Sequence, residues 1–288
     1  MPEGGGAPGT ASGLRPLRLS SRAAMRIFEP HIHMYARTTD DYESAALAGI
    51  RAMVEPSFWL GQPRTQVGSF VDYWHSIRDY EWKRAKAVLI EQYHTVSVNP
   101  REANDEKLAA EALAAMTPFL GHERCVAIGE IGYDDITPAE DKMLYAQLEL
   151  AKKHGLPALI HSCHRNKLHG TERTIAILKE LRYDPSMVLY DHNTEETIGL
   201  VKDYGCWAGI TVYPFTKLSP ERAANILEEY GAERTMVNSS ADWGPSDPLS
   251  VPRVVLELRR RGWDDARIEK VVWDTPRAYY AQSKRLAR

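Results

Sequence analysis

Cysteine is scarce in this 288-residue chain: Cys125, Cys163 and Cys206 are its three, far apart and odd in number. Three such thiols do not make a disulfide framework, and they point to a reducing compartment, so the expected location is cytoplasmic. No apolar run approaches the length of a membrane span. Positive charge is not in excess either. The 36 Lys and Arg against 39 Asp and Glu leave a formal net charge of −3, and no global basic field would gather nucleic acid. A GxGxxG turn after a strand is also missing, which removes the main mark of a dinucleotide-binding doubly wound sheet. Residues 1–24, rich in Gly, Ala, Pro and Ser, lack the continuous apolar core of a secretory signal. They read as a flexible tail, with 25–288 as one domain.

What the chain has is a repeated alternation. Short β-rich runs recur: "RIFEPHIH", "IRAMVEP", "AKAVLIEQYHTVSV", "CVAIGEIG", "PALIHS", "MVLYDHN", "CWAGITVY" and "RTMVNSSAD". Helical patterns lie between them. In "AEDKMLYAQLELAKKHG", Met143, Leu144, Leu148 and Leu150 mark an apolar side, and Lys152, Lys153 and His154 precede a stop glycine. Apolar strands alternating with helices imply parallel βαβ units buried on both faces. Eight of them predict a closed (β/α)8 TIM barrel, with an open doubly wound sheet as the competitor.

In such barrels the chemistry sits at the carboxyl ends of the strands. Strand one ends in His31 and His33, strand four in Glu130, strand five in His161, strand six in His192 and strand eight in Asp242. On a strand, residues two apart share a face, so His31 and His33 can meet one ion. Glu130 to His161 and His161 to His192 are both 31 residues, close to one βα unit of roughly 30. A lone histidine of this kind is usually a satisfied core residue. A carboxylate inside "VAIGEIGYDD" is costlier to bury without a partner. Four imidazoles and two carboxylates at equivalent strand ends predict a site for two divalent ions: zinc first, with Mn, Fe, Ni or Mg as alternatives.

The segments "EPHIHM", "AIGEIGYDD", "PALIHSCH", "DHN" and "SSADWG" resemble the motifs of the TatD-like metal-dependent hydrolases of the amidohydrolase superfamily, over essentially residues 26–285. The resemblance implies two metals: His31, His33 and Asp242 on one, His161 and His192 on the other, and Glu130 bridging. "RTTDDYE", "VEPSFWLGQPRTQVGSF" and "SSADWGPSDPL" resemble more narrowly the TatD-like proteins of bacterial Ebo clusters, encoded beside UbiA-type prenyltransferases. Two departures stand out. Asn99 precedes Pro100 where nuclease members carry histidine, and Glu29 replaces the usual aspartate of the first motif.

The expected chemistry is hydrolysis of a small ester, phosphoester or amide by a metal-bridging hydroxide, with Asp242 taking the proton. For the substrate, an anionic or partly apolar small molecule, the loop "HSCHRNKLHG" offers His164, Arg165 and Lys167 as an anion clamp, and Trp59 is the aromatic pocket candidate. Tyr73 and Trp74 read as packing. Asn99 and the acidic balance weigh against nucleic acid. The alternatives are a TatD-type 3′–5′ exodeoxyribonuclease and a non-catalytic metal-bound binding protein in a biosynthetic or export assembly. A homodimer is the option for self-association.

Overall fold

The computed structural model describes residues 25–286; the expected tail at 1–24 lies outside them. Eight parallel strands form one sheet in sequence order: β1 Ile27–Glu29, β2 Ile50–Glu55, β3 Glu91–Val96, β4 Cys125–Gly132, β5 Ala158–His161, β6 Val188–Asp191, β7 Trp207–Thr211 and β8 Thr235–Asn238. Around them run α1 Thr39–Leu47, α2 Val67–His75, α3 Glu81–Ala87, α4 Glu106–Leu120, α5 Pro138–His154, α6 Lys167–Glu180, α7 Ile198–Tyr204, α8 Pro220–Tyr230, α9 Ser250–Arg260, α10 Asp265–Glu269 and α11 Thr275–Tyr280. This is the TIM barrel that the alternation predicts. Helix α5 illustrates the local causes. Thr137 and Glu140 form a capping box at its start, Gly155 ends it at φ 62°, and Met143, Leu144 and Leu148 are buried against the barrel.

Strands β1 and β8 meet through irregular backbone. Just beyond their ends, Ser240 N–H donates to the His31 carbonyl at 2.8 Å and His33 N–H to the Ala241 carbonyl at 2.9 Å. Glu29 laces the same seam, its Oε1 accepting from the N–H groups of His31 at 3.2 Å and Ser239 at 3.1 Å. The longer carboxylate of the first motif therefore serves as a backbone tie. Burial pushes it up to about 8.

The strand period of two then builds the site. Phe28, Ala52, Val54, Leu159, Leu189 and Met236 form a buried apolar cluster closed by Trp273, Tyr279 and Tyr280 near the C-terminal helix. Two residues further along their strands stand polar side chains: His161 after Leu159, Asp191 after Leu189, Asn238 after Met236. An apolar floor carrying a polar layer follows from the pleat. Helix α11 locks this floor, since the Tyr279 hydroxyl donates to the Ala158 carbonyl at 2.6 Å and that of Tyr280 to the Pro30 carbonyl at 2.8 Å. Thr275 is the first residue of this helix, which a π-turn at Lys270–Asp274 runs directly into.

Candidate metal centre

The strands are shorter than the sequence reading had them. β1 ends at Glu29, so His31 and His33 project from the segment after it rather than from a strand face. They still converge, with Nε2 atoms 3.0 Å apart. Glu130 stands inside β4, where the register to β5 shifts between Gly129 and Ile131. His161 is the last residue of β5. His192 follows β6, and strand parity after Asp191 would send it outward. Its φ of 58° turns it back into the barrel.

Glu130 is the hub. Its Oε1 lies 3.3 Å from His31 Nε2, 3.2 Å from His161 Nδ1 and 3.2 Å from His192 Nε2, and its Oε2 lies 3.9 Å from His33 Nε2. All five side chains are buried except His161, which is partly open to the cavity. Burial pushes Glu130 up, but the imidazoles around it overcome that and hold it well below the usual carboxylate range. Burial also pushes His33 down to about 3 and His192 well below the ordinary imidazole value. For His33 and His192, a neutral ring beside an ionised carboxylate is the state in which a divalent ion is bound.

The outer bonds orient the rings. His31 Nδ1–H donates to Asp191 Oδ2 at 2.6 Å, which turns Nε2 toward Glu130 Oε1. His192 Nδ1 lies 2.6 Å from the Thr211 hydroxyl, which itself donates to Asn238 Oδ1 at 2.9 Å, and 3.2 Å from Lys217 Nζ. Asp191 is held below the carboxylate range although burial raises it, because His192 and His31 favour its charge. The ligand atoms of His31, Glu130 and His192 all lie within 4.8 Å of one another, and all three side chains are buried. Imidazole nitrogens gathered around a buried carboxylate are the donor set a divalent cation takes. Glu130 Oε2 and His33 Nδ1, moreover, are buried without a hydrogen-bond partner among the described residues. The residues fit a divalent metal.

Asp242 stands apart from that group. It lies four residues past the end of β8, and its Oδ1 accepts from the Tyr213 hydroxyl and from Gly244 N–H, both at 2.7 Å. It does line the same cavity, of about 750 Å³, as Glu130, His161 and His192. Trp59, His164 and Arg165 also face that space, whereas Lys167 does not. The Lys167 ammonium is engaged by Ser162 Oγ at 2.6 Å and the His192 carbonyl at 3.0 Å, so it braces the loop instead of clamping an anion. Burial, reinforced by His161 and Lys217, pushes His164 down to about 3 and leaves it neutral. Tyr73 and Trp74 are buried packing residues, as expected.

Two residues of the site escape the sequence reading. Asp191 stood beside His192 in "LYDHN", and the alternation of β6 is the signal that points it inward. Lys217, in the loop after β7, brings Nζ to 3.2 Å from Ser240 Oγ and 3.2 Å from His192 Nδ1. Nothing in its sequence surroundings marks it.

Residues 29–281 match the sequence model of the TatD-related DNase family. The chain belongs to that family. It is a TatD-family metal-dependent hydrolase by that membership. It is 29% identical over 259 residues to an uncharacterized metal-dependent hydrolase of Methanocaldococcus jannaschii, covering 88% of this chain and 99% of that protein. The crystal structure of a TatD-like protein from Archaeoglobus fulgidus is similar at a TM-score of 0.71 and 25% identity, over 88% of this chain and 99% of that one. The phosphotriesterase homology protein of Escherichia coli, solved with phosphate in its active site, shares the fold at TM-score 0.63 and 15% identity, over 90% of this chain and 100% of that one. Among the described residues of this TatD-family chain, no helix is long and apolar enough to cross a membrane.

Proposed function

We propose that this TatD-family protein hydrolyses a small ester, phosphoester or amide with two divalent ions, zinc first, held around Glu130. The observation that carries the reading is the convergence of buried ligand atoms of His31, Glu130 and His192 within 4.8 Å of one another, with Glu130 Oε2 left without a hydrogen bond. In this proposal His31 and His33 with Asp242 form one donor set, His161 and His192 the other, and Glu130 is shared. When bound, such ions lower the pKa of water and polarise a substrate oxygen. The protein's own part is positional. Asp191 holds His31 through Nδ1 so that Nε2 faces Glu130, and Thr211 positions the His192 ring. Asp242, oriented by Tyr213 and Gly244, takes the proton of the attacking water at its carboxylate.

The substrate is a small molecule in a cytoplasmic setting, and the nearer kinship is to the Ebo-cluster branch, on the segments quoted above. Asn99 lines the cavity, and its Oδ1 accepts from Arg101 N–H at 3.2 Å, so it acts as a turn cap where nuclease members offer an imidazole. A hydrolysis screen of the metal-loaded protein over phosphoesters, carboxylesters and single-stranded DNA tests the reading. Turnover of a small ester well above that of DNA is expected. DNA degraded as fast as the best small ester would restore the exonuclease, and no turnover of any class would leave a binding protein.

A further inference from the structure

Two walls of the cavity remain unused by that chemistry. One is aromatic. Trp243 stands 45% exposed, its ring 4.9 Å from Phe58 and 5.9 Å from Trp59. Gly61 passes against it, where a Cβ would meet the indole at 3.4 Å. Phe58 stacks on His33, with ring centroids 3.9 Å apart and an interplanar angle of 17°. The Phe58 backbone is pinned at both polar groups: its N–H donates to the Tyr73 hydroxyl at 3.1 Å, and its carbonyl accepts from Arg64 Nη2 at 3.0 Å. Arg64 is itself held by the buried Glu102 carboxylate at 2.7 and 2.6 Å. An exposed indole on a rigid aromatic support offers apolar area with little entropy left to lose on binding.

The other wall is cationic. Arg101 and Arg165 line the cavity, but each already has a carboxylate: Asp134 at 3.3 Å and Asp135 at 2.5 Å. Lys217 differs. Its ammonium rests against the hydroxyl of Ser240 and the ring of His192, and Glu130, Asp191 and Asp242 act on it at longer range. A half-buried ammonium with no carboxylate bound to it among the described residues, opening on a cavity, is a ready partner for a substrate anion.

We propose that the cavity takes a compact oxyanion joined to a planar apolar group, with Lys217 receiving the anion beside His192 and the Phe58–Trp243 wall receiving the plane. The proposal rests on the hydrolase reading for the bond that is cut, not for what is bound.

Calorimetric titration of the metal-loaded protein with phenylphosphonate and methylphosphonate tests it, because neither is hydrolysed and the two carry the same anion. Phenylphosphonate binds about tenfold tighter to the wild type. Trp243→Ala removes that preference and leaves methylphosphonate unchanged. Lys217→Met weakens both ligands about tenfold, and Lys217→Arg recovers most of the loss. Metal content and the melting temperature of each variant are read alongside, so that a fold defect is recognised. Equal affinity of the wild type for the two phosphonates, or unchanged binding in Lys217→Met, overturns the proposal. The expected pattern in a protein that turns over nothing in the substrate screen sinks the hydrolase reading and leaves this one standing.

Discussion

The two sides of the metal centre are built differently. On the β4–β6 side, Glu130 and His161 stand on strands and His192 one residue beyond, at intervals of a single βα unit. On the β1–β8 side, His31, His33 and Asp242 all lie past the strand ends, held by loop hydrogen bonds across the seam. On the first side, Glu130 and His161 are carried by the strands themselves, and His192 enters through the positive φ just after β6. The second depends on particular ties: Asp191 to His31, Glu29 to two backbone N–H groups, Tyr213 and Gly244 to Asp242. The strands thus place Glu130 and His161, and the residues past the strand ends need local turns and hydrogen bonds of their own.

Substitutions can break that contrast, beginning with the largest effect. Asp242→Asn keeps the shape of the seam but removes the proton acceptor, and turnover of the substrate that the screen identifies falls by about 10²–10⁴. Its melting temperature stays near that of the wild type, since the carboxylate stands in a loop; steady-state kinetics with a thermal melt reads both. Unchanged turnover would place the base on the strand side. Asp191→Asn removes the anion that holds the His31 tautomer, and metal affinity drops about 10–100-fold in a chelator competition. If Thr211→Val, the corresponding change behind His192, costs far more than Asp191→Asn, the seam is not the side that depends on its ties. Tyr213→Phe is the mildest. It leaves Asp242 with the Gly244 N–H alone, and the rate falls about three- to tenfold, the worth of one hydrogen bond.

The same contrast explains how much could be read from the chain. The alternation of apolar strands and amphipathic helices made the barrel legible, and the equal spacing of Glu130, His161 and His192 made the strand side legible. The histidine pair His31 and His33 was also found, although for a face-sharing reason that the short β1 does not supply. Asp191 was missed because its neighbour His192 drew the attention, and only the positive φ at His192 lets both side chains enter the barrel. Lys167 and Lys217 show the limit in loops. Lys167 sits in a conspicuous basic segment yet braces its own loop, whereas Lys217 stands in a plain one and reaches the centre. Side-chain direction after a strand end is decided by contacts distant in sequence, and no local pattern carries it.

In the function proposed above, the donors gathered at Glu130 hold two divalent ions. The most direct measurement of this is the metal-to-protein ratio by inductively coupled plasma mass spectrometry, after exposure to zinc and removal of excess, for wild type and for Glu130→Gln. A ratio near two in the wild type, falling to one or less when the shared carboxylate is neutralised, is the expected result. A wild-type ratio of one would contradict the shared site, and a ratio of zero would contradict the metal centre altogether.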